Sequence, residues 1–162
     1  LKEACFLKSI IIYYSRTGRT KLIAQTLAKE KNMDIVEIKD KTNRSGAIGF
    51  IKGTLDYMIN NSTTIEPVTI DLDKYDTVYI GTPVWASRIT PAIKQILDNI
   101  NLENKKVITF VTLNKNGAKE ALNSLNSTIK DKGGKIINSF SIITKGRDIE
   151  SLTKDIVKNL GK

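Results

Sequence analysis

The segment from Tyr13 to Thr20 (YYSRTGRT) carries residue types that suit an anion site, because it is a loop of hydroxyls with one glycine. It leads into a segment of helical period, and the first N–H groups of a helix lack partners and favour an anion. Ser15, Thr17 and Thr20 add hydroxyl donors, while Gly18 lets the backbone close around a phosphate. The loop is neither a P-loop nor a dinucleotide fingerprint. It predicts a phosphate site, with a turn in which Thr20 simply caps the helix as the alternative.

Two further segments place aromatic or polar residues at predicted strand ends. Gly81–Pro91 (GTPVWASRITP) holds the only tryptophan of the chain, Trp85, directly after an apolar run. Ligands bind at the carboxyl ends of strands in open α/β sheets, so an exposed Trp85 would form a platform for a flat heteroaromatic ring. Burial of Trp85 in the core is the alternative. Thr112–Gly117 (TLNKNG) follows the next run and offers amides to the polar edge of a ring, although alone it is typical of any turn.

The composition excludes most kinds of catalytic site that amino-acid side chains build without a cofactor. The chain of 162 residues contains no histidine, which excludes Ser/His/Asp and Cys/His triads, histidine zinc sites and an imidazole base. Its single cysteine, Cys5, cannot form an internal disulfide, a CxxC pair or an iron–sulfur site. We therefore expect the chemistry to come from a cofactor, with no catalytic residue and no metal, in a reducing compartment such as the cytoplasm.

Positive charge is the second unusual bulk property. Lys and Arg number 26 against 17 Asp and Glu, which gives a formal net charge of +9. Such an excess favours an acidic partner, whether nucleic acid, an anionic membrane or an acidic protein. An AT-rich genome, which enriches Lys, Ile and Asn, explains the same numbers equally well.

The elements that must position these loops alternate along the chain. Five apolar, β-branched runs predict strands buried on both faces, at Ser9–Tyr14, Asp34–Ile38, Thr77–Gly81, Val107–Val111 and Lys135–Ile143. Segments of helical period follow four of them, at Thr20–Lys29, Pro91–Ile100, Ala118–Lys130 and Asp148–Leu160. This alternation predicts an α/β fold with a parallel sheet covered by helices on both faces.

The remaining segments set the domain organisation. The long connection between the second and third strands predicts a further helix with an irregular start, carrying Ile48, Ile51, Leu55 and Ile59. Residues 1–8 are interpreted as an upstream extension or a cloning remnant, and a single domain is expected over 9–162. No apolar run approaches the ~20 residues of a membrane span, and LKEACFL lacks the pattern of a signal peptide.

Two separated motifs resemble the signatures of the flavodoxin family. IIYYSRTGRTKLIA is similar to its phosphate loop, and KYDTVYIGTPVWASRITPAIKQIL resembles the strand and loop that bind the isoalloxazine ring. The GFIKG stretch and the strand–helix spacing also fit, so the likeness covers Ser9 to Leu160. The last predicted strand is uninterrupted, as in the short-chain members.

The resemblance implies a three-layer sandwich around a parallel sheet in the order 2-1-3-4-5, with FMN at the switch point between strands one and three; flavodoxin is itself the standard example of this arrangement. The FMN phosphate would be held by Ser15, Arg16, Thr17, Gly18, Arg19 and Thr20. The ring would be lined by Thr82, Pro83, Val84, Trp85, Ala86 and Ser87. Its pyrimidine edge would be approached by Thr112, Leu113, Asn114, Lys115, Asn116 and Gly117.

The resemblance implies the function of a low-potential FMN electron carrier between redox proteins. The net positive charge, with Arg88 and Lys115 in the predicted ring loops, favours an acidic redox partner such as ferredoxin. The lack of a catalytic cluster favours a carrier over the enzyme alternative, a flavodoxin-like NAD(P)H or quinone oxidoreductase. A nucleic-acid module is disfavoured because the lysines are dispersed, and a response-regulator receiver because Tyr14-Ser15 stands where paired acids are needed. Three departures remain: the third loop lacks the common glycines or aromatics, no glycine follows Trp85 directly, and the chain is basic where most family members are acidic.

Overall fold

The computed structural model describes residues 8–41 and 65–160, which form a five-stranded parallel sheet. The strands are β1 (Ser9–Tyr14), β2 (Asp34–Ile38), β3 (Thr77–Pro83), β4 (Lys106–Leu113) and β5 (Lys135–Ile143). Their order across the sheet is β2-β1-β3-β4-β5, and every neighbouring pair is parallel. The fold class and strand order predicted from the sequence are confirmed. The helix predicted around Ile48–Ile59, and the segment 1–7, lie outside the described residues.

Four helices in the described ranges flank the sheet. They are α1 (Arg19–Lys31), α2 (Pro91–Asn99), α3 (Ala118–Asp131) and α4 (Ile149–Leu160), and a short 3₁₀ turn (Leu72–Lys74) precedes β3. The apolar faces of α1 and α4 pack on one side of the sheet, and those of α2 and α3 pack on the other. No helix in these ranges is long and apolar enough to cross a bilayer.

Alternation along the central strands builds a core on each face of the sheet. In β1, Ile10, Ile12 and Tyr14 point to the α2/α3 side, whereas Ile11 and Tyr13 point to the α1/α4 side. All five of these side chains are buried. A strand covered on both faces must be apolar at successive positions, which explains the continuous runs in the sequence.

The outer strands are less buried than the sequence predicted. Ile35 of β2 is 40% exposed and Ile137 of β5 is 46% exposed, so the expectation that all five strands are buried on both faces is wrong for these two. Both strands form edges of the sheet and have only one strand neighbour. Apolar runs alone do not distinguish an edge strand from a central one.

Parallel pairing brings the carboxyl ends of the strands together at one edge. β3 extends two residues beyond its predicted end, because Thr82 pairs with Val111 and Pro83 pairs with Thr112. The loops after β1, β3 and β4 therefore leave the sheet side by side, and the order of strands reverses between β1 and β3.

Replacing Gly81 with alanine should destabilise the fold by about 2–3 kcal/mol, the range of severe overpacking. Gly81 lies opposite Phe110 in the ladder, and a Cβ atom there would lie 2.1 Å from the Phe110 ring. Phe110 is fully buried and stacks on Phe140, so the ring has no space to move into. Chemical denaturation of both proteins measures the difference in the free energy of unfolding.

Gly146→Ala is the matched control for this substitution. Gly146, unlike Gly81, has a positive φ (69°), and no atom lies within 4 Å of its added Cβ. Only the backbone strain of about 1 kcal/mol should appear there. Equal losses from the two substitutions would contradict the role of the Phe110 ring.

Candidate functional site

A cleft of about 270 Å³ opens at the carboxyl edge of the sheet, where the three loops meet. It is lined by Arg16, Thr17, Arg19, Thr20, Pro83, Val84, Trp85, Thr112, Leu113, Asn114 and Thr144. Each of the three segments singled out in the sequence thus contributes to one site. The cleft size is close to the lower end of small-molecule pockets, which begin near about 300 Å³.

The loop after β1 and the start of α1 contribute polar residues to the lining of the cleft. Gly18 takes the left-handed conformation (φ 86°) at the N-cap of α1, and its N–H donates to Ser15 Oγ at 3.1 Å. The N–H of Leu22 donates to the Gly18 carbonyl at 2.9 Å, and the N–H groups before it in the first turn have no acceptor within the helix. Thr20 lies inside the helix, so the alternative in which it acts as the N-cap is wrong.

Two side-chain hydrogen bonds connect the first turn of α1 to the end of β4 and the residue that follows it. Thr20 Oγ1 and Thr112 Oγ1 lie 2.8 Å apart, and both side chains are buried. The Arg19 guanidinium donates to Asn114 Oδ1. Since β3 lies between β1 and β4, these bonds connect segments whose strands are not neighbours. The sequence, which assigned Thr112 and Asn114 to a ring edge, gave no sign of this connection.

Trp85 forms part of the apolar wall but is not exposed as the platform interpretation required. It is only 6% exposed and belongs to the core on the α2/α3 side, while its remaining surface lines the cleft. The Tyr14 ring meets it edge-on at 5.8 Å, and the Arg16 guanidinium lies 5.7 Å from its centroid. A cation over an indole face is attracted by the ring quadrupole. Trp85 therefore joins the core to the cleft.

A tight hairpin turn follows Trp85. Trp85 and Arg88 exchange two backbone hydrogen bonds of 2.9 Å, and the two residues between them, Ala86 and Ser87, both have positive φ (48° and 61°). Such a turn prefers Asn-Gly at its two central positions, so the backbone of Ala86 and Ser87 is strained. The turn packs against the loop after β4, since a Cβ added at Gly117 would lie 2.9 Å from the Ser87 Cα.

Replacing Ala86 with Asn and Ser87 with Gly should raise the free energy of unfolding by about 1–2 kcal/mol. The substituted pair suits positive φ at both positions, so backbone strain is relieved without loss of the hairpin bonds. The melting temperature should rise by roughly 2–8 °C for a chain of this size. Ala86→Val, which puts a β-branched residue at φ 48°, is the opposite control and should lower it. A lower melting temperature for the Asn-Gly variant would contradict the strain.

The other predicted site residues do not line the cleft. Thr82 is fully buried, and its hydroxyl lies 3.1 Å from Thr90 Oγ1. Ala86, Ser87, Lys115 and Asn116 are exposed beside the cleft. Ser15, Gly18 and Gly117 shape the backbone of the loops, as described above.

Thr144 lines the cleft although the sequence did not single it out. It follows β5 directly, and its N–H donates to the Leu113 carbonyl at 2.9 Å. The strand order alone places the end of β5 beside the end of β4. Thr144 could therefore have been predicted as a site residue, because it is a hydroxyl residue immediately after the last strand.

The charges around the cleft favour an anion. Arg16 and Arg19 are its charged lining residues, and none of the lining residues is acidic. At the end of β1, burial and the Glu37 carboxylate raise the pKa of Tyr13 to about 12. Glu37 is paired with Lys21 at 2.9 Å. The lining also includes the apolar side chains of Pro83, Val84, Trp85 and Leu113, so the cleft suits a ligand with an anionic group and a flat ring.

The profile of the flavodoxin family matches residues 8–150 of this sequence. This chain belongs to the flavodoxin family. A relative from Clostridioides difficile (strain CD3), the flavodoxin-like domain-containing protein BilS, is 32% identical over 153 residues, which span 90% of this chain and 70% of BilS. The family prediction made from the two sequence motifs is confirmed.

Solved structures agree with this assignment. A flavoprotein from Lactobacillus acidophilus NCFM in complex with FMN superimposes with a TM-score of 0.73 and 25% identity, over 96% of this flavodoxin and 99% of that chain. A Bacteroides uniformis ATCC 8492 chain gives a TM-score of 0.79 at 20% identity, over 93% and 97% of the two chains. The second likeness is one of fold alone.

Proposed function

We propose that this flavodoxin binds FMN in the cleft and carries electrons between redox proteins. The observation that carries the proposal is that one cleft combines two arginines and threonine hydroxyls with apolar side chains, at the switch point of the strand order. The similar Lactobacillus flavoprotein was solved in complex with FMN, which supports the same cofactor here.

The residues present fit the two ends of FMN. Thr17, Thr20 and the first turn of α1 would hold the phosphate, together with Arg16 and Arg19. Pro83, Val84, Trp85 and Leu113 would cover the ring and exclude water from it. FMN supplies the redox chemistry when bound, and the protein positions it and adjusts its potentials.

The proposal is tested on the purified protein. Acid treatment should release FMN, and not FAD or riboflavin, in about one equivalent per chain. The loaded protein should accept and return single electrons with a redox mediator, and should not oxidise NADPH or NADH with a quinone. Steady nicotinamide oxidation with a quinone would instead support the reductase alternative, and a colourless protein that cannot be loaded would overturn the proposal.

We also infer an acidic redox partner, with a ferredoxin as the candidate donor. The full chain carries a formal net charge of +9, and Arg88 and Lys115 are exposed on the two loops beside the cleft. Opposite charge on a partner would steer it toward this edge of the sheet. The single cysteine favours a reducing compartment, and we place the protein in the cytoplasm on that ground.

A further inference from the structure

The buried hydroxyl pair of Thr20 and Thr112 lies at the boundary between two loops of the cleft. Thr20 is 2% exposed and Thr112 is 4% exposed, yet both line the cleft. Their oxygens are 2.8 Å apart, and the Arg19–Asn114 bond beside them ties the same two segments a second time. The position of one hydroxyl is thus fixed by the other.

The direction of this hydrogen bond depends on what the cleft holds. Each threonine hydroxyl has one proton to donate and two lone pairs to accept with. In the protein alone, either oxygen is able to be the donor. A phosphate dianion only accepts hydrogen bonds, so the Thr20 hydroxyl would have to donate its O–H to the phosphate. The hydrogen bond between the two threonines would then be donated by Thr112 and accepted by Thr20. A hydroxyl that accepts one hydrogen bond is a stronger donor in the next.

We propose that Thr112 is a positioning residue for the phosphate group, which it serves by donating to Thr20. This inference rests on the proposed FMN function and deepens it. It also changes the role of Thr112, which the sequence assigned to the polar edge of the ring. Thr112 then contributes to the preference for FMN over riboflavin, because riboflavin has the same ring but no phosphate.

The test compares Thr112→Val with Thr112→Ser in the cofactor-free protein. Valine keeps the shape of threonine but cannot donate, so the dissociation constant for FMN should rise about five- to tenfold while that for riboflavin stays within twofold. Serine keeps the hydroxyl and should restore most of the loss. Flavin fluorescence quenching measures both constants, and the ³¹P resonance of bound FMN should shift in the valine variant while its ring absorption stays unchanged.

A double-mutant cycle with Thr20→Val separates this role from a direct contact. If Thr112 acts through Thr20, the double variant should bind FMN no more weakly than Thr20→Val alone. Equal losses for FMN and riboflavin, or losses that multiply in the double variant, would overturn the inference. Should the valine variant unfold, Thr112→Ala gives the same comparison of the two ligands.

The outcome also distinguishes this inference from the proposed function. A wild-type protein that prefers FMN, with a Thr112→Val variant that keeps the full preference, contradicts only the role of Thr112. A wild-type protein that binds neither flavin contradicts the proposed function itself.

Discussion

Riboflavin is expected to bind this flavodoxin about a hundred- to a thousandfold more weakly than FMN. The two ligands differ only in the phosphate, which would meet Arg16, Arg19, Thr17 and the first turn of α1. A hydrogen bond to a charged group contributes about 1.5–3 kcal/mol, and losing two of them at the lower part of this range, about 1.5–2 kcal/mol each, accounts for about 3–4 kcal/mol. That free energy corresponds to two to three powers of ten in the dissociation constant. Titration of the cofactor-free protein with each flavin measures the ratio.

The Thr17→Ala variant tests whether the preference for FMN over riboflavin arises from the loop after β1. Thr17 is an exposed residue that lines the cleft, so its removal should cost little in folding. FMN binding should weaken about ten- to a hundredfold, whereas riboflavin binding should barely change. Thr17→Ser keeps the hydroxyl and is the matched control. If the dissociation constants of FMN and riboflavin for the wild type lie within tenfold of each other, the phosphate does not supply most of the affinity.

The sequence predicted the strands well where their signal is local. The bounds of β1, β2 and β5 agree with the structure, because each is rich in β-branched residues. β3 and β4 were predicted too short, since Thr82 and Pro83 are held by pairing with Val111 and Thr112, and Leu113 is held by pairing with Ile143. That pairing joins residues far apart in the chain, and neither segment shows it alone.

The site was predictable as three loops but not as a set of contacts. Topology brings the ends of β1, β3 and β4 together, so composition and strand order were sufficient to find the cleft. The Thr20–Thr112 bond spans 92 residues and depends on where two side chains point, which no local pattern encodes. Ala86 and Ser87 adopt a turn that their residue types disfavour, so a local rule predicts the wrong backbone there.

Reversing the charges beside the cleft should make the second one-electron potential of the bound flavin more negative by about 50–90 mV. Arg88 and Lys115 are exposed on the loops after β3 and β4, and reduction adds negative charge to the ring. At an assumed separation of ~8 Å and the dielectric of water, each unit of charge contributes about 0.5 kcal/mol, which partial screening by salt lowers to about 0.3 kcal/mol. Arg88→Glu with Lys115→Glu changes the local charge by roughly four units, and about 59 mV corresponds to a factor of ten for one electron. Spectroelectrochemistry measures the shift.

Lys29→Glu with Lys130→Glu is the matched control for this charge reversal. Both lysines are exposed near the C-terminal ends of α1 and α3, at the opposite edge of the sheet, so the net charge changes equally but far from the cleft. Its potential should stay within about 15 mV of the wild type, since the separation exceeds a Debye length of about 8–10 Å. Equal shifts in the two variants would show that net charge, and not the loops beside the cleft, sets the potential.

The same pair of variants tests the acidic partner. Electron transfer from a reduced ferredoxin should slow as salt is added to the wild type, because screening weakens attraction between opposite charges. Arg88→Glu with Lys115→Glu should remove most of this salt dependence, whereas the Lys29/Lys130 variant should keep it, since steering depends on charge near the site of contact. A wild-type rate that does not change with ionic strength would contradict an acidic partner, even if the potentials shift as expected. The two readouts therefore separate the effect of these cations on the flavin from their effect on docking.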